Sequence, residues 1–394
     1  VRILINGRPS ALAGFGSTDA LRQLPADAID RVEVITSPSA RYDAEGTAGI
    51  LNIILKKEKT LGFNGSITTN IGFPESSQIT SNLNLRTDKF NIFNTLGFRY
   101  RRSPGGGFSN NTYTNGDFDR IIEERDIQRE DSGFNMNIGI EYFITDKSSL
   151  TASYFGRISD ENDVTDNDSR RFVDTNITNS TFRTEDESQD DKSNQISLNY
   201  INNLDDNGQK LTADLQYSFD KEDVFTTIQE NNTFPNDNLL DYEEINELEN
   251  QKEFLFQTDF VLPMGDAQFE AGYRGNFEES INDYQLDILN METGELERNE
   301  LSNVFTYNEN VNAIYTQYGN KFGKFSFLLG LRLENTQLKG QIDTDLTPEE
   351  LSQLLGPDID ANFDKNYLGL FPTLNLIFEI AERENITLGY NRRI

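Results

Sequence analysis

The chain has 394 residues, 66 of them acidic and 35 basic, and a formal net charge of −31 excludes a nucleic-acid surface. It contains no cysteine and no histidine, which excludes disulfides, thiolate metal sites, Ser-His-Asp triads and imidazole-ligated metal or haem. No run approaches the length of apolar sequence that a membrane-crossing helix needs, and a mean hydropathy of −0.60 leaves a β-barrel open, because its lipid face occupies only every second residue.

Residues 1–57 open on the strand-like VRILING and continue as LRQLPADAIDRVEVITSPSARYDAEGTAGILNIILKK. In this stretch RVEVI and ILNIILKK flank a proline turn and a small-residue loop holding Gly46 and Gly49. The first residue is Val1, inside a predicted strand, and no signal peptide is visible, so the chain reads as beginning partway into a longer precursor.

From residue 62 onward, apolar residues recur at every second position over stretches of about ten, the period of a strand with two unlike faces. Thirteen such strands are predicted, near 62–73, 77–87, 89–102, 132–144, 149–159, 191–202, 209–220, 250–262, 267–278, 305–319, 323–335, 367–380 and 384–394. In the strand at 323–335, Phe325, Phe327, Leu329, Leu331 and Leu333 alternate with Lys324, Ser326, Arg332 and Glu334. The helical period fits only TPEELSQLLG at 347–356. Short turns are expected at 145–148, 205–208, 263–266, 319–323 and 381–384, and long polar loops at 103–131, 160–190, 221–249, 279–304 and 336–366. The five loops hold 40 of the acidic and 10 of the basic residues, so nearly all of the net charge belongs to one end of the strands. Solvation of exposed loops accounts for this acidity; a cation-collecting surface, or divalent ions bridging to lipopolysaccharide, is the sharper alternative.

Short turns at one end and long loops at the other is the arrangement of an outer-membrane barrel. Lipid offers the backbone no hydrogen-bond partner, so only a closed barrel lets strands cross it. The apolar set then faces lipid, and the polar set, including Glu141, Arg157, Asp214, Arg274, Arg332 and Glu334, faces the lumen. Aromatic residues near strand ends, Phe143 and Tyr315 among them, are expected in interfacial girdles. Thirteen is odd where single-chain bacterial barrels are even, and the sequence stops in the strand-like NITLGYNRRI; the expectation is a fragment cut at both ends.

With a barrel behind it, the opening stretch resembles the second half of the plug domain of TonB-dependent receptors. The matching residues are Ile3–Pro9, Ile29–Ile35, Pro38, Tyr42, Gly46, Gly49 and Leu51–Lys57. The wording SPSARYDAEGTAGILNIILKK looks most like receptor-type barrel proteins abundant in the Bacteroidota. Asp43 stands where the family has glycine, Leu51 where it has a β-branched residue, and the TonB box is not in this chain. The resemblance implies an all-β transmembrane antiparallel barrel, with about 13 strands of an expected 22, preceded by a small α+β plug domain. Residues 1–57 would be the C-terminal part of the plug and 58–394 the N-terminal part of the barrel, with long acidic extracellular loops. Plug–barrel contacts are expected at Arg31, Glu33, Arg41, Tyr42, Gly46 and Gly49, against the plainer reading of turn glycines and solvent-facing strand charges.

The implied function is import of a scarce solute, a ferric siderophore, glycan, peptide or vitamin, through the plugged barrel. The implied partners are a TonB-type energy-coupling complex, outer-membrane lipid and lipopolysaccharide, a surface lipoprotein and the solute. No cofactor, metal site or enzyme activity is expected, and the implied location is the outer membrane of a Gram-negative bacterium. Two alternatives stand beside it: a non-transporting barrel serving a structural or secretion assembly, and a soluble all-β carbohydrate-binding or hydrolytic protein. Weaker signals add little. LAGFGSTDA at 12–20 lacks the third glycine of a dinucleotide loop, and EGTAGI lacks the Lys-Ser/Thr of a phosphate loop. SDENDVTDNDS at 159–169 lacks EF-hand spacing and reads as a solvated loop, and SPGGGF at 103–108 as the start of another, with a mobile lid as its alternative.

Overall fold

The computed structural model describes residues 2–5, 29–35, 50–55, 61–356, 360–381 and 384–392. The first sheet has three strands, β1 (Arg2–Ile5), β2 (Ile29–Ile35) and β3 (Ile50–Leu55). β3 lies in the middle, parallel to β1 and antiparallel to β2. Leu4 and Ile53 are buried on its opposite faces, and the buried Asn52 donates a 2.9 Å hydrogen bond to Glu33.

The second sheet holds β4 (Gly62–Gly72), β5 (Ser76–Arg86), β6 (Phe90–Arg102), β7 (Gly105–Thr112), β8 (Arg120–Thr145), β9 (Ser148–Val173), β10 (Asn176–Asn203) and β11 (Lys210–Phe234). It continues through β12 (Asn238–Met264), β13 (Ala267–Leu289), β14 (Leu296–Arg298), β15 (Asn303–Phe322), β16 (Phe325–Thr344), β17 (Phe363–Ala381) and β18 (Glu384–Asn391). Thirteen of these form one antiparallel meander from β4 to β18, each paired with the next along it; among the described residues β7 joins only β8, and β14 only β13. The thirteen predicted strands coincide one for one with this path. The one helix among the described residues, α1 (Pro348–Leu355), begins at a capping box between Thr347 and Glu350, as its sequence signature predicts.

The expected long loops are a different matter. Segments 120–131, 160–173, 176–190, 221–234, 238–249 and 279–289 are not loops but continuations of β8 to β13, and 105–112 is the strand β7. The carboxylate-rich 159–169 is likewise strand, and β9 and β10 are joined through Asp174 and Thr175 alone, with Asp174 at φ 54°. Strands β8 to β12 run for 25 to 28 residues. At about 3.4 Å per residue and a tilt near 40° such a strand stands about 65 Å tall, against an apolar band of about 25 Å. Both faces of the outer half therefore meet water, which removes the apolar–polar alternation that marks a strand in sequence. Asn and Asp, abundant there, also have low β-propensity.

Within the alternating stretches, burial is inverted relative to a water-soluble sheet. Leu329, Leu331 and Leu333 are exposed on β16, whereas Arg332 and Glu334 between them are 1% and 2% exposed. The same holds for Phe134 and Ile138 against Asn135, and for Ile196 and Leu198 against Gln195. Aromatic rings lie on directly opposite glycines at three places across neighbouring strands: Tyr315 on Gly272, Phe93 on Gly139 and Phe363 on Gly340.

Candidate functional site

The polar face is organised by register. Glu141, Asp214, Arg274 and Glu334 fall on one continuous row of directly paired residues that crosses the sheet from β8 to β16 through Thr151, Asn199, Gln257 and Ala313. Arg332 sits on the adjacent row with Tyr315, Gly272 and Asp259. Arg157 belongs to a row that crosses β11 at Asp220, six residues further along than Asp214.

Where these two adjacent rows meet β12, β13, β15 and β16, the side chains form a polar network. Arg332 places Nε and Nη2 each 2.6 Å from one oxygen of Glu334, whose other oxygen accepts from Thr336 at 3.2 Å. The Arg332 guanidinium also lies 5.9 Å from the centroid of the Tyr315 ring. Tyr315 donates to Asp259 at 2.6 Å, Gln257 donates to the second Asp259 oxygen at 2.9 Å, and Arg274 donates to Gln257 at 2.9 Å. Two guanidiniums thus offset two carboxylates, and in a water-poor setting a charge-balanced, hydrogen-bonded set of this kind holds its members in place. On the flank, Asp214 accepts from Asn199 at 2.6 Å and Glu141 from Ser149 at 2.9 Å.

A second cluster lies farther out on the same face. Asp131 is held by Arg99 and Arg101, both at 2.7 Å, and Arg157 lies 3.7 Å from Asp191, which also accepts from Ser159 at 3.2 Å. Asp191 stands opposite Glu222, and Glu222 opposite Glu249. Beyond the alternating stretches, burial together with the charges of Asp191 and Glu249 pushes the Glu222 carboxyl up to about 7. Burial, then Asp191 and Asp131, raises Glu161 in the same way. Among the described residues, no group of three or more such side chains is arranged to hold a metal ion.

Of the residues singled out in sequence, the structure joins Arg274, Arg332 and Glu334 through the network and leaves Glu141, Asp214 and Arg157 in separate contacts. Gln257, Asp259 and Tyr315 were missed. Tyr315 was expected in an interfacial girdle; instead it is 5% exposed on the polar face, and its parity with Gln317 against the outward Ile314 was the available signal. Phe143 likewise shares the parity of Glu141, and its ring packs under the Arg86 guanidinium at 4.6 Å. In the small sheet Arg31 is exposed and bonds Asp30 and Glu33, each at 2.8 Å, and Val34 on the same strand is exposed as well. Arg41, Tyr42, Gly46 and Gly49 lie outside the described residues.

Residues 1–50 match the model of the TonB-dependent receptor plug domain, and residues 202–394 that of the outer membrane protein β-barrel family. A search of curated proteins finds no match. Among solved structures, the siderophore receptor PiuA from Acinetobacter baumannii superposes with a TM-score of 0.62 at 11% identity over 99% of this chain. The ferric-catecholate import receptor Fiu from E. coli K12 does so with a TM-score of 0.55 at 13% identity, also over 99% of this chain. At such identities the likeness shows the fold. The chain spans 56% and 57% of the lengths of these two receptors.

Proposed function

From the premise that this chain belongs to the TonB-dependent receptors, as a plug domain joined to an outer-membrane β-barrel in a Gram-negative envelope, we propose that it serves energy-coupled import of a scarce solute, with a ferric siderophore as the leading class. The observation that carries this reading is a long sheet whose polar face is buried and whose apolar face is exposed, preceded in the chain by a plug sequence. A barrel wide enough to leak needs such a plug. The buried face is the lumen wall in this reading, with Glu141, Arg157, Asp214, Arg274, Arg332 and Glu334 on it. The plug ends at residue 57 and the barrel starts at 58. Arg31 and Glu33 supply polar contacts to that wall, weak enough to be broken when a periplasmic TonB-type complex pulls. Lipopolysaccharide and a surface lipoprotein complete the set of partners. The two solved receptors are described as siderophore and ferric-catecholate receptors, which supports iron chelates over glycans, peptides or vitamins.

The test is uptake of radiolabelled ferric siderophores by cells carrying the full-length protein, with and without their energy-coupling complex. Uptake that needs both is expected. Uptake that persists without the coupling complex, or the absence of uptake for every chelate tried, overturns the proposal in favour of a passive or structural barrel.

A further inference from the structure

Strand β7 is an open edge. Ser103 donates its backbone N–H to Arg129 at 2.8 Å and Tyr113 donates to Asp119 at 2.8 Å, so odd-numbered residues of this strand turn their backbone groups toward β8. In an antiparallel ladder the alternate residues turn the other way. The N–H and C=O groups of Gly106, Phe108, Asn110 and Thr112 therefore point away from β8, and among the described residues no strand pairs with that side. The wall beside it stops short: β4 and β5 have 11 residues each, and β6 ends at Arg102. Natural edges are blunted by charges, proline or bulges. GGGFSNNT has none of these, its register with β8 runs unbroken from Gly105 to Thr112, and Phe108 is 67% exposed.

The neighbouring rows say what would pair there. Behind Phe108 stand Glu124 and Asp168, and Arg170 bonds both, at 3.1 and 2.9 Å. Behind Gly106 stand Asp126 and Asp166, two like charges directly opposed across β8 and β9, with no ion pair to Asp126 among the described residues. Like charges in that position are destabilising. Gly106 carries no side chain, so a cationic chain on an added strand can lie across it and reach Asp126, two strand spacings or about 10 Å away.

We propose that the outer edge of β7 is a docking strand for an extended, lysine- or arginine-bearing segment of a partner protein at the cell surface, which adds to the sheet and sets a cation beside Asp126. A second copy of this chain is disfavoured by like charge, −31 on each.

The test uses the whole chain in detergent micelles, with a labelled decapeptide alternating valine and lysine and a twin alternating valine and glutamine. On binding of the lysine peptide, hydrogen exchange at the amides of residues 106, 108, 110 and 112 is expected to slow at least about tenfold, with odd-numbered amides unchanged. Asp126→Asn is expected to raise the Kd of the lysine peptide about threefold to fivefold, the size of one exposed ion pair, and to leave the glutamine peptide unaffected. Asn110→Pro removes one outward donor and no β8 bond, and should weaken both peptides. Should it open the hairpin, seen as lost protection at odd-numbered amides, the exchange measurement on the unmodified chain decides. Adhesion of the lysine peptide without selective protection of the even-numbered amides overturns the proposal, as does an equal effect of Asp126→Asn on both peptides.

Discussion

Gly272→Ala tests whether the polar network is a fitted assembly. A Cβ on residue 272 would stand 2.5 to 2.6 Å from three atoms of Tyr315, including its hydroxyl oxygen. An ordinary contact is about 3.5 Å or more, so the ring has to retreat by about 1 Å in a site where it is buried. That movement stretches the 2.6 Å bond to Asp259 beyond hydrogen-bonding range. A hydrogen bond to a charged acceptor is worth about 1.5–3 kcal/mol and overpacking costs about 1–3 kcal/mol, so a loss of about 3–5 kcal/mol is expected. The assay is urea unfolding of the chain inserted in lipid vesicles, followed by tyrosine emission, since the chain has 15 tyrosines and no tryptophan. Tyr315→Ala removes the ring the new methyl would strike, so the double variant should be about as stable as Tyr315→Ala alone, a coupling of about 2 kcal/mol or more. A loss below about 1 kcal/mol for Gly272→Ala, or strict additivity in the cycle, would refute the fitted arrangement.

Three further outcomes are expected. Arg332→Ala strands the buried Glu334 carboxylate and should cost about 3–5 kcal/mol in the same unfolding assay, whereas Glu334→Gln, which keeps an acceptor, should cost less. Glu222, raised above the ordinary carboxylate value, favours the folded state in its protonated form. Its contribution is therefore fully present below about pH 4.5 and lost as pH rises through about 7; Glu222→Gln should flatten the stability profile in that window, and an unchanged profile would count against the burial described. Asp174→Gly relieves a left-handed backbone position and should leave the β9–β10 hairpin as stable or more so, by up to about 1 kcal/mol, read by amide exchange in that hairpin.

How much of this was legible in sequence depends on where lipid acts. Between residues 132 and 144, or 323 and 335, lipid on one side and polar neighbours on the other impose the two-residue period, and Arg332 and Glu334 could be placed by counting. Above that band no such contrast exists. The Asp- and Asn-rich halves of β9 and β10 pair residue for residue through Thr181↔Ser169 and Glu185↔Thr165, yet carry no pattern that separates a strand from a loop. Tyr315 shows a different limit. Its residue type suggested a membrane interface, while its parity placed it among the polar residues, and parity, which follows from backbone geometry, prevailed. Partners such as Gln257 and Asp259 were invisible because cross-strand register, which brings them to Arg274 and Tyr315, is written in pairings between strands and not within one.

The rings seated on opposite glycines bear on geometry beyond their own packing. Tyr315 on Gly272, Phe93 on Gly139 and Phe363 on Gly340 each fix which residue of one strand faces which residue of the next. Sliding β15 by two residues along β13 would keep every side chain on its proper face, yet set the Tyr315 ring against Arg274 or Glu270 instead of a bare backbone. Such slips, added strand by strand, are what determine the shear of a barrel, and shear with strand number determines its radius. The glycine–aromatic pairs thus act as keys for the stagger of the wall, and through the stagger they set the bore that a plug has to fill.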